Sequence, residues 1–96
     1  MSPWVLVYLR MRLILLSRAY CHLCDEMEAA LRPLIGATPL DVIDVDAKGN
    51  GALELQYGEA VPVLFAGACQ TGRELCRFRL DPDRVLAALA AESEIR

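Results

Sequence analysis

The chain has 96 residues, of which 55% are hydrophobic and 24% charged, with a formal net charge of -3. That length supports one compact core, and the interspersed charges leave no polar low-complexity tract of the kind a disordered chain carries. An acidic balance without a basic stripe excludes a general nucleic-acid binder, which needs Lys and Arg to displace counterions from phosphates.

The start of the chain is strongly apolar, yet no membrane span is expected there. Arg10 and Arg12 interrupt the run, which is shorter than the ~20 residues a spanning helix needs, and no small-residue cleavage site follows. Residues 1–10, including Trp4 to Leu9, read as an apolar extension, and residues 11–96 as the domain. A cytoplasmic protein is expected, in which a cysteine pair is catalytic or metal-binding more often than structural.

Leu13 to Leu16 form an apolar run suited to a strand covered on both faces, in the middle of a sheet. From Cys21 the pattern turns helical, with Leu23, Met27, Ala30, Leu31 and Leu34 as the expected inner stripe. Asp25 and Glu26 suit the positive end of the helix dipole, while Pro33 and Gly36 mark its end or a kink. Leu40 to Val45 predict a second strand, parallel to the first through a right-handed crossover. Gly49 and Gly51 lead into a short helix reaching Tyr57.

Val61 to Phe65 read as a third strand opened by Pro62, whose missing amide donor suits a strand's first residue. After turn residues between Ala66 and Arg73, Glu74 to Leu80 are expected to return as a hairpin strand. On it Cys76 would share a buried face with Phe78 and Leu80, and Arg73, Arg77 and Arg79 another, either a solvated strand face or a docking patch for an acidic partner. Asp81 before Pro82 starts a closing helix with Val85, Leu86, Leu89 and Ala90 on one face. The resulting order is β-α-β-α-β-β-α.

The candidate chemistry lies in Cys21-His22-Leu23-Cys24, between the buried strand and the first helical turn. Free amide donors and the helix dipole at that position favour a Cys21 thiolate, and the spacing brings Cys24 within reach to resolve a mixed disulfide. An imidazolium at His22 would favour the thiolate further; the competing reading is an exposed residue at a tolerant position. Leu23 is expected to be a core contact, and Arg18 either attracts an anionic substrate such as glutathione or is an ordinary loop arginine. Cys76 reads as a small buried hydrophobe and Cys69 as a free thiol, a redox partner of Cys76, or neither.

With this C-H-L-C site after an apolar strand, the segment from Tyr57-Gly58 to Val61-Pro62-Val63-Leu64, and a hairpin-plus-helix ending, the chain resembles the thioredoxin superfamily and, within it, glutaredoxin-like proteins. The resemblance spans about residues 11 to 93. It implies an α/β thioredoxin-like fold of the glutaredoxin type, with a mixed four-stranded sheet flanked by helices. It implies further a thiol-disulfide oxidoreductase with Cys21 as nucleophile and Cys24 as resolving thiol, a cis bond before Pro62 facing the cysteines, and a Val61 backbone that binds substrate. His22-Leu23 replaces the family's usual Pro-Tyr, and Leu80-Asp81-Pro82-Asp83 its Gly-Gly-acidic element. Glutathione is thus admitted as a cosubstrate without being required. No tightly bound cofactor is expected, and the partner is a disulfide-containing protein or a glutathione mixed disulfide, met by a monomer. The alternatives are a metal or iron-sulfur carrier using Cys21, and a non-enzymatic interaction domain; metal content and dithiol-dependent turnover discriminate them.

Overall fold

Continuous apolar runs short enough to be strands must be covered on both sides, and two such runs form the centre of this molecule. The computed structural model describes residues 12–67 and 72–94. In chain order these form β1 (Leu13–Ser17), α1 (His22–Ile35), β2 (Leu40–Asp44), α2 (Gly51–Tyr57), β3 (Val63–Ala66), β4 (Arg73–Arg77) and α3 (Pro82–Glu94). The strands lie in the order β2-β1-β3-β4, with β1 parallel to β2, and with β3 antiparallel to both β1 and β4. This is the mixed four-stranded sheet of the thioredoxin-like fold.

The period-2 alternation of β1 sends its side chains to two cores. Leu13 and Leu15 join Leu64, Met27, Leu31, Ile35, Val85 and Ala88 on the face covered by α1 and α3. Leu16 joins Val45, Val61, Val63, Phe65 and Cys24 on the other, where Leu53 and Tyr57 of α2 pack. Tyr57 meets Phe65 edge to face, with ring centroids 5.6 Å apart. The resolving-cysteine candidate is therefore part of a hydrophobic core, while its partner lies at that core's edge.

Several sequence expectations need correction. The inner stripe of α1 is Cys24, Met27, Leu31 and Ile35, so Leu23 and Ala30 face outward. Cys24 occupies the inward position that the periodicity gave to its apolar neighbour. The helix also continues through Pro33 and stops at Gly36, whose φ of 57° suits a residue without Cβ.

The β4 strand ends at Arg77, three residues earlier than expected. A register shift pairs Leu64 with Cys76 but Phe65 with Glu74, leaving Leu75 as an extra residue. Leu75 and Cys76 thus both face one core, and neither Phe78 nor Leu80 continues their strand. The three arginines likewise do not form one strand face, since Arg79 lies beyond β4 and Arg77 is clamped by Glu74 at 2.6 and 2.7 Å. Among the described side chains of α3 the buried ones are Val85 and Ala88, while Leu86 is half exposed. Residues 1–10 and Cys69 lie outside the described residues. No helix among those described is long and apolar enough to cross a membrane.

Candidate active site

Where β1 ends, Arg18, Ala19 and Tyr20 carry the chain past the end of the sheet to Cys21, the N-cap of α1. The cap has extended backbone, φ -110° and ψ 103°, and its Sγ accepts the N–H of Cys24 at 3.1 Å. A sulfur thus fills the role usually taken by a Ser, Thr, Asp or Asn oxygen. The same donor, with the dipole behind it, stabilises negative charge on that sulfur, which is the condition for a thiolate at neutral pH.

The two cysteines are unequal. Cys21 is half-buried, whereas Cys24 is 1% exposed. They form a disulfide with Cα atoms 5.2 Å apart, inside the usual range for such a bridge. An incoming sulfur has access to Cys21 and not to Cys24. His22 begins the helix with its side chain exposed.

The third piece of the site is contributed by the approach to β3. The Val61-Pro62 bond is cis, Pro62 is fully buried, and Val61 packs in the same core as Cys24, with Cys21 against it. Pro62 O accepts the N–H of Phe78 at 2.9 Å. Among the described residues no hydrogen bond engages the Val61 N–H or C=O. Those groups are free for an extended segment laid beside them.

Arg18 is tied into the scaffold. Its guanidinium donates to both Asp46 oxygens at 3.0 and 2.6 Å and to Gly58 O at 2.7 Å, with Glu54 at 3.6 Å. The hydrogen bond from Arg18 holds the Asp46 carboxyl below its ordinary value, and the same bond raises the guanidinium. The arrangement fixes the loop before Cys21 to the chain leading into Val61.

Two residues at the site carry no sequence signal. Tyr20 and Phe78 have φ of 58° and 66°, and neither aromatic is of a type that announces a left-handed conformation. Leu23, Met27, Phe78 and Leu80 line a groove of about 320 Å³ beside α1, together with Glu26 and Arg79. Cys76 packs in the opposite core, where burial pushes its thiol up. No group of three or more His, Cys, Asp or Glu among the described residues is placed to hold a metal ion.

Comparison with known proteins agrees with this geometry. The family model described as glutaredoxin-like domain (DUF836) matches residues 12–90. A protein of Nitrosomonas europaea, solved in solution by NMR, is 42% identical; the match covers 79% of this chain and 87% of that one, with a TM-score of 0.65. An X-ray structure of a protein from X. campestris is 37% identical over 82% of this chain and 96% of that one, with a TM-score of 0.62. No curated protein matches the chain.

Proposed function

The chain belongs to the glutaredoxin-like domain family, and on that premise we propose that it is a thiol-disulfide oxidoreductase in which Cys21 attacks and Cys24 resolves. The fold and the Cys-x-x-Cys disulfide are those of a redox-active module of the thioredoxin superfamily. The observation that carries the proposal is the contrast between a half-buried Cys21 sulfur capping α1 and a Cys24 sulfur enclosed in the core.

In the reduced protein the Cys21 thiolate attacks one sulfur of a substrate disulfide. The substrate S–S bond breaks, its second sulfur leaves as a thiolate and takes a proton, and a mixed disulfide remains on Cys21. Cys24 then loses its proton and attacks the Cys21 sulfur, releasing the first substrate sulfur as a thiolate and forming the Cys21–Cys24 disulfide. An external dithiol, or two molecules of glutathione, restores the reduced pair. Val61 holds the substrate through its backbone, beside Pro62. His22 favours the thiolate from the first turn, and Arg18 keeps the groove in register by anchoring Gly58.

The roles separate on substitution. After exposure to a disulfide, Cys24→Ser is expected to accumulate a covalent adduct on Cys21 that persists until dithiol is added, and Cys21→Ser to form none. Mass spectrometry reads both. Equal adducts on the two variants would remove the assigned roles, and none on either would favour an interaction domain that keeps only the fold.

A further inference from the structure

Six large hydrophobic residues are exposed on the described surface, and three of them belong to the site: Tyr20 and Leu23 adjoin the cysteines in sequence, and Phe78 bonds to Pro62 and shares a groove with Leu23. Tyr20 is wholly exposed and directly precedes Cys21, and Leu23, between the cysteines, is 42% exposed. Phe78, at 46%, lines the same groove as Leu23. Its place is fixed by the bond to Pro62 O and by a three-residue turn in which Arg79 N–H donates to Arg77 O at 2.8 Å.

Backbone conformation sets two of these residues apart. Among the described residues, Tyr20 and Phe78 are the only non-glycine positions with positive φ. That conformation crowds Cβ against the following carbonyl, and the wholly exposed Tyr20 ring recovers none of the loss by burial. Such outliers persist where the surroundings impose them, and they gather at sites that clamp a ligand.

The charges around the groove narrow the choice of ligand. Asp25 and Glu26 have no ion-pair partner among the described residues, while Arg18 is engaged by Asp46 and Arg77 by Glu74. Glu26 and Arg79 line the groove and Asp25 precedes Glu26 in the first turn of α1, so two carboxylates stand against one guanidinium beside an apolar centre. A small anionic thiol with charged ends matches neither property. A polypeptide can supply apolar side chains, a basic residue, and a backbone to pair with Val61.

Building on the exchange chemistry proposed above, we infer that Tyr20, Leu23 and Phe78 select polypeptide disulfides whose cysteine is flanked by apolar and basic residues. In the capture step the Cys21 thiolate bonds to one peptide sulfur, the peptide S–S bond breaks, and the other peptide leaves as a thiolate carrying the electron pair.

The test uses the full chain carrying Cys24→Ser, so that adducts on Cys21 persist, and times their formation by mass spectrometry. Three symmetric disulfides serve as probes: a lysine-containing peptide with leucine and phenylalanine beside its cysteine, a peptide of equal length with glutamates there, and glutathione disulfide. The apolar, basic peptide is expected to react about tenfold faster than the other two, the discrimination a few apolar contacts supply. Adding Tyr20→Gly and Phe78→Gly should bring the ratios within about twofold, and glycine accepts both backbone conformations. Leu23→Ala, on the outer side of α1, provides an independent check and should lower the ratios about threefold. Equal rates for the peptides, or ratios that survive both sets of substitutions, would overturn the inference. So would a concentration-dependent dimer lost in the glycine variant, which would assign the face to a second copy of the chain. An absence of adduct with all three probes would instead overturn the exchange chemistry itself.

Discussion

A sulfur at an N-cap serves two ends, because the amide that it satisfies is also the amide that stabilises its charge. Cys21 is in this position, and the next sulfur, Cys24, is the residue that supplies the amide. In reduced protein the alkylation rate of Cys21 is therefore expected to titrate with a midpoint below the ~8.5 of free cysteine. A midpoint at or above that reference would remove the activated nucleophile, and an upward shift in His22→Ala would show that the imidazole contributes. Cys76 provides a contrast within the chain. Burial pushes its thiol up, so it should resist alkylation at neutral pH until denaturant is added, as a two-stage mass-labelling experiment would show.

The elements are joined at both ends of β1 by arginine-carboxylate pairs that cross from one connection to another. Arg12 reaches Asp41 of β2, at 2.9 Å for one of its two bonds, and Arg18 reaches Asp46 and Gly58. In each pair the arginine lowers its carboxyl partner, chiefly through the hydrogen bond. A folded value below the unfolded one means that the contribution is fully present above the unfolded value near ~3.9 and is lost as pH falls through the folded value. Thermal melts should accordingly show stability dropping as pH is lowered below about 4, with a shallower drop in Asp46→Asn. An identical acid profile in that variant would show that the pair is fully solvated. Both carboxyls are largely exposed, so the difference is expected to be small.

Legibility at this scale followed burial. The runs Leu13 to Leu16 and Val63 to Phe65 announced themselves because both faces of those strands are covered, and the helix after Cys21 did so through its period. The cis bond came from resemblance, since a Val-Pro pair alone is usually trans. What stayed hidden were choices made by tertiary packing. Cys24 displaced Leu23 from the inner stripe, the bulge at Leu75 shortened β4, and the turn at Phe78 exposed a phenylalanine that the strand pattern buries. A side chain's type states a preference for burial, and a one-residue shift decides whether it is met.

At the scale of the whole molecule, the two cores share the central strands, so one large-to-small change there should be felt throughout. Leu64→Ala, in β3 at 0% exposure, is expected to cost about 2–5 kcal/mol, read from denaturant midpoints. We propose that the folding unit begins near residue 11. The buried residues of the described core run from Leu13 to Ala88, and the family match covers 12–90. Removing residues 1–10 should then move the Tm by no more than about 4 °C, roughly 1 kcal/mol for a domain of this size. A cooperative transition lost on truncation would make that segment part of the fold.

Turnover separates a catalytic Cys21–Cys24 pair from a structural one. With dithiothreitol as reductant and a leucine-flanked peptide disulfide as substrate, release of peptide thiol is followed for the parent, Cys21→Ser and Cys24→Ser. A catalytic Cys21–Cys24 pair predicts release well above the uncatalysed rate by the parent, background release by Cys21→Ser, and reduced release with a Cys21 adduct by Cys24→Ser. A parent no faster than dithiothreitol alone, or a Cys21→Ser variant as active as the parent, would contradict it.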